Sequence, residues 1–315
     1  MNLIIIIIIV YIMKELSEST LKIYEGNLNS IAKAINIQRD GSEKWIEKNV
    51  KQIIDFIKTK SNNHTQKNLY SAIIAIGKRK KLSDKALKPF EDEMYGAAVE
   101  VEQAYETNEM SDRQKENWIT SEELRSKINE LKSELAPTID TYAKYKKLMV
   151  YLILLIHSKY PLRNDLYLSK IYHDKDFVSS KESQEFNYIV IGTKPRIILN
   201  VYKTAKDYGS KIIEMDKECN DELLKYYDEI TAFSNNKFFL VKKERDENIG
   251  RTQFIAWFQS AFPNKKIGST MIRQMAVSEL YNVSPEQYKK EQALASVMGH
   301  SMTTQKLKYA KILPK

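Results

Sequence analysis

At 315 residues the chain is long enough for two domains, and its 43% hydrophobic and 29% charged content is that of an ordinary soluble globular protein. A formal net charge of +9 favours a polyanionic partner such as nucleic acid. The single cysteine, Cys219, excludes an internal disulfide and fits a reducing compartment, cytoplasm or nucleus, and no Cys/His cluster has zinc-site spacing, so neither a metal nor another cofactor is expected.

Lysine supplies most of the positive charge, 41 Lys against 9 Arg. Each arginine is therefore of interest, because its planar fork binds carboxylate or phosphate bidentately where a lysine offers only a point charge.

The chain opens on LIIIIIIVYIM, Leu3 to Met13, eleven apolar residues. A helix crossing a bilayer needs roughly 20, so this run is not read as a membrane anchor. Residues 1–13 read as an added strand, or as a segment upstream of a true start at Met13 and outside the fold.

From residue 14 to 108 apolar residues recur at three and four in SLKIYEGNLNSIAKAI, WIEKNVKQIIDFIK and HTQKNLYSAIIAIGKRKKL, which predicts a small helical bundle. The last of these ends in Lys78, Arg79, Lys80 and Lys81, suited to phosphate contacts or to the negative end of the helix dipole. Residues 109–117 are polar and aperiodic and are expected as a linker.

Residues 118–315 carry the larger share of the surplus charge: residues 109 to 315 hold 34 basic and 27 acidic side chains, residues 14 to 108 only 16 and 14. After Trp118, Thr120 or Ser121 caps a helix with Glu122 or Glu123 in its first turn. The nine apolar residues Leu148 to Ile156 predict a fully buried helix that Pro161 ends just before Arg163. Beyond Phe186 the apolar period becomes two, around turn signals at GTKP and AKDYG, which predicts three short antiparallel strands with Lys203 at a strand end. Helices follow in DELLKYYDEITAF, TQFIAWFQSAF, STMIRQMAVSELY and PEQYKKEQALASVM. On the third, Ile272, Met275, Ala276 and Leu280 mark an apolar stripe, with Arg273 about 100° from Ile272 at its edge. Gly299 can end the last helix, so that His300 and Tyr309 face a common point. The fold class expected is mainly α with a small antiparallel β-sheet.

Four features in this order, PLRNDL with Arg163, YKTAKDYG with Lys203, STMIRQM with Arg273 and the closing GHSMTTQKLKY, resemble the catalytic domain of the tyrosine recombinases, the phage-type integrase family. In that family the first arginine is followed by an acidic residue and Leu, as in Arg163, Asp165 and Leu166. A Lys-Thr pair precedes a glycine turn, as in Lys203 and Thr204, although Lys206 and Lys194 offer the same chemistry. The final box matches Gly299, His300, Thr304 and Tyr309. Thr270 departs from the pattern, since most members have His there, although lineages in viral and mobile DNA elements accept other residues. The resemblance covers 118–315; over 14–108 it is architectural, implying a helical core-binding domain.

The resemblance implies strand cleavage and rejoining on double-stranded DNA without metal or ATP. Arg163 and Arg273 would stabilise the charge on the nonbridging oxygens of the phosphate, and Tyr309 would attack to form a 3′-phosphotyrosine. Lys203 would protonate the leaving 5′ oxygen, His300 would bond a nonbridging oxygen or assist proton transfer, and Asp165 would orient Arg163. A homo-tetramer on paired DNA sites is implied. Two other readings share these residues: a type IB topoisomerase relaxing supercoils, and a DNA-binding protein on the same fold that has lost catalysis.

Overall fold

The computed structural model describes residues 16–106, 110–178, 183–281 and 285–297. The chain divides into two compact units, Met1–Met110 and Ser111–Lys315. The isoleucine-rich run of residues 1–13 lies outside the described residues, among which no helix is long and apolar enough to cross a membrane.

The described part of the first unit is helical. Helix α1, Glu18–Ala34, starts at Ser17, whose hydroxyl accepts the Thr20 N–H at 3.2 Å, and buries Leu28, Ile31 and Ala32. The segment expected as one helix breaks into α2, Trp45–Lys48, and α3, Val50–Lys58, because Asn49 between them turns its amide back to the Trp45 carbonyl at 2.7 Å. Helix α4, Asn63–Arg79, packs along α5, Asp84–Glu106. Gly77 permits that approach, since a Cβ there would lie 2.6 Å from a Leu87 methyl. Ile31, Ile46, Ile53, Tyr70, Ile73 and Phe90 form the core, each contributing about 1.5–3 kcal/mol by leaving water. Arg39 is used structurally: it pairs with Glu25 at 2.6 Å and with buried Glu43, which also accepts the Trp45 indole N–H. Of the basic cluster, Lys78 pairs with Glu91 at 2.8 Å, while Arg79, Lys80 and Lys81 are exposed at the end of α4.

The second unit begins with a difference from expectation. Residues 112–117 are not an aperiodic linker but helix α6, Asp112–Asn117, closed by a reciprocal Ser111–Gln114 cap. Its last residue, Asn117, is buried and accepts the Lys266 N–H, so tertiary contact holds a helix that periodicity does not announce. Helix α7, Ser121–Ser133, has the same capping box from Thr120 and Glu123.

Helix α8, Tyr142–Lys159, is the axis of this unit. Leu148 to Ile156 are all buried, and α7, α10 (Lys217–Lys225), α12 (Arg251–Ser260) and α13 (Ser269–Tyr281) pack on it, as its all-round apolar surface requires. Helix α11, Tyr227–Ala232, follows α10 after a break at Tyr226, and α14 spans Pro285–Val297.

A short 3₁₀ helix, Asn164–Leu168, leads from α8 into a four-stranded sheet of order β1-β2-β3-β4. The three expected strands are β2, Asn187–Ile191, β3, Arg196–Leu199, and β4, Lys211–Glu214, antiparallel to one another. The four-residue helix α9, Ala205–Tyr208, lies between β3 and β4. The sheet is nevertheless mixed, because β1, Ser169–His173, pairs parallel with β2. That edge strand is not visible in SKIYH, which lacks alternation; the Ile171 N–H bonds the Lys237 carbonyl and the Phe239 N–H the Ser169 carbonyl, fixing it by contacts distant in sequence.

The stripe expected on α13 also shifts. Met271, Ile272 and Met275 are its buried face, whereas Leu280 is 78% exposed. Arg273 is half-buried at that edge.

Candidate active site

The apolar run of α8 brings His157 to the last turn, fully buried, with Nδ1 2.8 Å from the Ile153 carbonyl. Tyr160 terminates the helix, and Pro161, which lacks an N–H, turns the chain out. Arg163 then sits in extended backbone at the start of the 3₁₀ helix, its carbonyl 3.4 Å from His157 Nε2. The imidazole packs against Phe254 and edge-on to Phe258 of α12, with ring centroids 5.9 and 5.1 Å away. Burial pushes it down to about 4, and the positive charge of Arg273 acts in the same direction. His157 is therefore neutral near pH 7 and donates to one of the two carbonyls that its ring nitrogens face, those of Ile153 and Arg163.

Arg273 enters from α13. Its Nη2 donates to the Thr270 hydroxyl at 3.1 Å and its Nε to the Ser269 carbonyl at 3.4 Å, so the helix that carries the guanidinium also aims it. Thr270, where the family resemblance has histidine, thus contacts Arg273 directly. A hydroxyl does not titrate near neutrality, which gives Thr270 an orienting contact and no capacity as a general base there. Burial lowers the Arg273 pKa, and the nearby Arg163 charge lowers it further.

Asp165 is the common neighbour of these cations. Burial raises its carboxyl above the usual range, against the opposing charges of Arg163, Arg251 and Arg273. Arg251, the first residue of α12, is exposed. Three guanidinium charges around one carboxylate leave an excess of two positive charges, and no ion pair within 4 Å joins Asp165 to any of them among the described residues. Such a cluster suits an anion with several oxygens, which arginine forks bind bidentately. A pocket of about 390 Å³ adjoins it, with Asn164 from the arginine-bearing 3₁₀ helix and Thr270 from α13 in its walls beside Arg113, Lys266 and Gln274.

Lys203 is exposed in the turn between β3 and α9. No described interaction joins its side chain to the arginines; the link between the two runs through the backbone and the side chain of Asn187, which donates to both the Asp165 carbonyl, at 2.9 Å, and the Val201 carbonyl, at 3.0 Å. Gly299, His300, Thr304 and Tyr309 lie outside the described residues.

The structure thus brings Arg163, Asp165, Thr270 and Arg273 together from two helix ends far apart in sequence. Sequence reasoning missed His157, Asn187 and Arg251. For Arg251 a signal existed in the scarcity of arginine, and for Asn187 in a lone amide heading an otherwise apolar strand.

Among the described residues no three His, Cys, Asp or Glu side chains are grouped to hold a metal ion. Comparison with models of protein families finds no match, and comparison with curated proteins finds none. Among solved structures the chain is similar to one described as the crystal structure of XerA recombinase, at 14% identity and a TM-score of 0.36, over 97% of this chain and 92% of that chain.

Proposed function

We propose that the protein is a tyrosine recombinase, a site-specific enzyme that cleaves and rejoins double-stranded DNA through a 3′-phosphotyrosine at Tyr309. The observation that carries this reading is the grouping of Arg163, Arg251 and Arg273 within electrostatic reach of one partly buried carboxylate, Asp165, with cationic charge left over. A phosphodiester under attack gains charge on its nonbridging oxygens, and fixed guanidinium groups stabilise that charge without a metal.

In this reading the Tyr309 hydroxyl gives up its proton, to His300 or to water, as its oxygen forms a bond to phosphorus and the bond to the 5′ oxygen breaks. Lys203 donates the proton that the departing oxygen takes up, and His300 serves the nonbridging oxygen or the proton transfer. The phosphotyrosine ester conserves the bond, so a 5′ hydroxyl from another strand reverses the step and joins a new partner without ATP. Thr270 holds the Arg273 fork, and Asp165, expected from the resemblance to orient Arg163, acts on it through charge alone, with no ion pair between them among the described residues. Residues 14–108 form the helical core-binding domain and residues 118–315 the catalytic domain, with Arg79, Lys80 and Lys81 contributing phosphate contacts. Binding then weakens steeply with salt. Pairing of two sites brings four copies together.

Incubation of the full chain with nicked duplexes, followed by a denaturing gel, tests the reading. Wild type should leave a covalent protein–DNA band that Tyr309→Phe lacks. Absence of the band from wild type across a library of duplexes contradicts the reading and favours a DNA-binding protein without catalysis. Relaxation of a plasmid carrying no defined site, in place of exchange between two sites, assigns the same chemistry to a topoisomerase.

A further inference from the structure

Asn187 opens β2 and is fully buried. A primary amide has two N–H donors and an oxygen with two lone pairs, and this one uses all four. Its Nδ2 donates to the carbonyls of Asp165 and Val201, at 2.9 and 3.0 Å. Its Oδ1 accepts the backbone N–H groups of Asn200 and Val201, both at 2.8 Å. Asn200 closes the same corner by donating from its own amide to the Phe186 carbonyl at 2.9 Å.

The two segments held in this way have no ladder of their own. Asp165 lies in the 3₁₀ helix that Arg163 begins, and Asn200 and Val201 follow the last paired residue of β3 on the way to Lys203. Each end of the clamp is therefore two residues from a side chain with a role in the chemistry: Arg163 before Asp165, and Lys203 after Val201.

We infer that Asn187 is a positioning residue that fixes the Lys203 turn against the Arg163–Asp165 segment, so that the proton donor and the phosphate-binding guanidinium address one phosphodiester. This rests on the reading given under Proposed function. Without the clamp the turn can shift, and a general acid displaced by an ångström loses most of its effect. The P–O5′ bond then breaks toward an oxygen that receives no proton.

A substrate with sulfur in place of the bridging 5′ oxygen isolates this step. An alkyl thiol has a pKa of about 8.5, against 15.7 for water, so a thiolate leaves without an acid. The experiment uses the full chain and two nicked duplexes, with oxygen or sulfur at the position where wild type forms its adduct, and reads the rate of adduct formation. The variants are Asn187→Asp, which keeps the shape and the acceptors but loses both donors; Asn187→Ser, smaller and neutral; and Lys203→Ala.

On the oxygen duplex all three variants are expected to slow by roughly 10²- to 10⁴-fold, the usual contribution of a general acid, and on the sulfur duplex to return to within about tenfold of wild type. The double variant Asn187→Asp with Lys203→Ala should be no slower than Lys203→Ala on oxygen. Recovery of Lys203→Ala on sulfur while both Asn187 variants stay slow overturns the inference, as does a wild-type rate for the Asn187 variants on oxygen. Loss of cooperative unfolding in both Asn187 variants also overturns it, leaving the amide a determinant of the fold alone. Failure of Lys203→Ala to recover on sulfur removes Lys203 as the acid, and the inference with it. A wild type that forms no adduct on either duplex overturns the parent reading instead.

Discussion

His157 makes the stability of the second unit depend on pH in a calculable way. The group is fully buried, and its imidazole is pushed from 6.5 down to about 4 by burial, with the Arg273 charge adding to the effect. A base whose folded pKa is depressed takes up fewer protons folded than unfolded between the two values. Its contribution is therefore complete above 6.5 and is lost as pH falls toward 4. At 1.36 kcal/mol per unit the full shift amounts to about 3 kcal/mol, of which about 2 kcal/mol is lost between pH 7 and pH 5.

Urea unfolding at those two pH values, with Trp118 and Trp257 reporting on the second unit, measures the loss. His157→Gln keeps an amide donor for the Ile153 carbonyl and does not titrate. Other histidines and the carboxylates titrate alike in both proteins, so the wild type should lose about 2 kcal/mol more than the variant over this range. Equal losses in the two proteins would refute a neutral, buried His157 beside Arg273.

Gly192, in the turn between β2 and β3, has φ +126°, and a Cβ there would collide with the Asp174 carboxylate that accepts the Thr193 and Lys194 N–H groups at 2.7 and 3.2 Å. Gly192→Ala should cost about 2 to 3 kcal/mol in chemical denaturation, and a loss below about 0.5 kcal/mol contradicts the close approach. Cys219 is fully buried, and burial pushes its thiol far up, so a disulfide reagent should modify it only as fast as the second unit opens. Rapid stoichiometric modification of the native protein contradicts that placement.

Much of the architecture is legible in the chain because it depends on local chemistry. Leu148 to Ile156 announce the buried α8, Thr120 and Glu123 start α7, and the alternation after Phe186 marks β2, β3 and β4. What escapes the sequence is held by partners far along the chain. SKIYH becomes β1 only through β2 and the backbone near Phe239, and residues 112–117 become α6 with Asn117 docked on Lys266. Periodicity places Leu280 on the buried stripe of α13, yet the contact made there is polar, the Ser121 N–H donating to the Glu279 carboxylate at 3.0 Å, and Leu280 is left exposed. In the site, the order of Arg163 and Arg273 is readable, but their approach to within electrostatic reach of Asp165 is a product of the packing of α12 and α13 around α8. Asn187 and Arg251 act across the fold and leave no spacing signal at all.

The claim that Arg163 and Arg273 stabilise the charge of one phosphate is tested most directly by removing that charge from the substrate. The measurement is the adduct-forming rate of wild type and Arg273→Ala on a duplex whose reacting phosphate is either ordinary or a neutral methylphosphonate. On the ordinary phosphate the variant is predicted to be slower by about 10²- to 10³-fold, and on the methylphosphonate to run within about tenfold of wild type. A defect of the same size on both substrates would contradict the account.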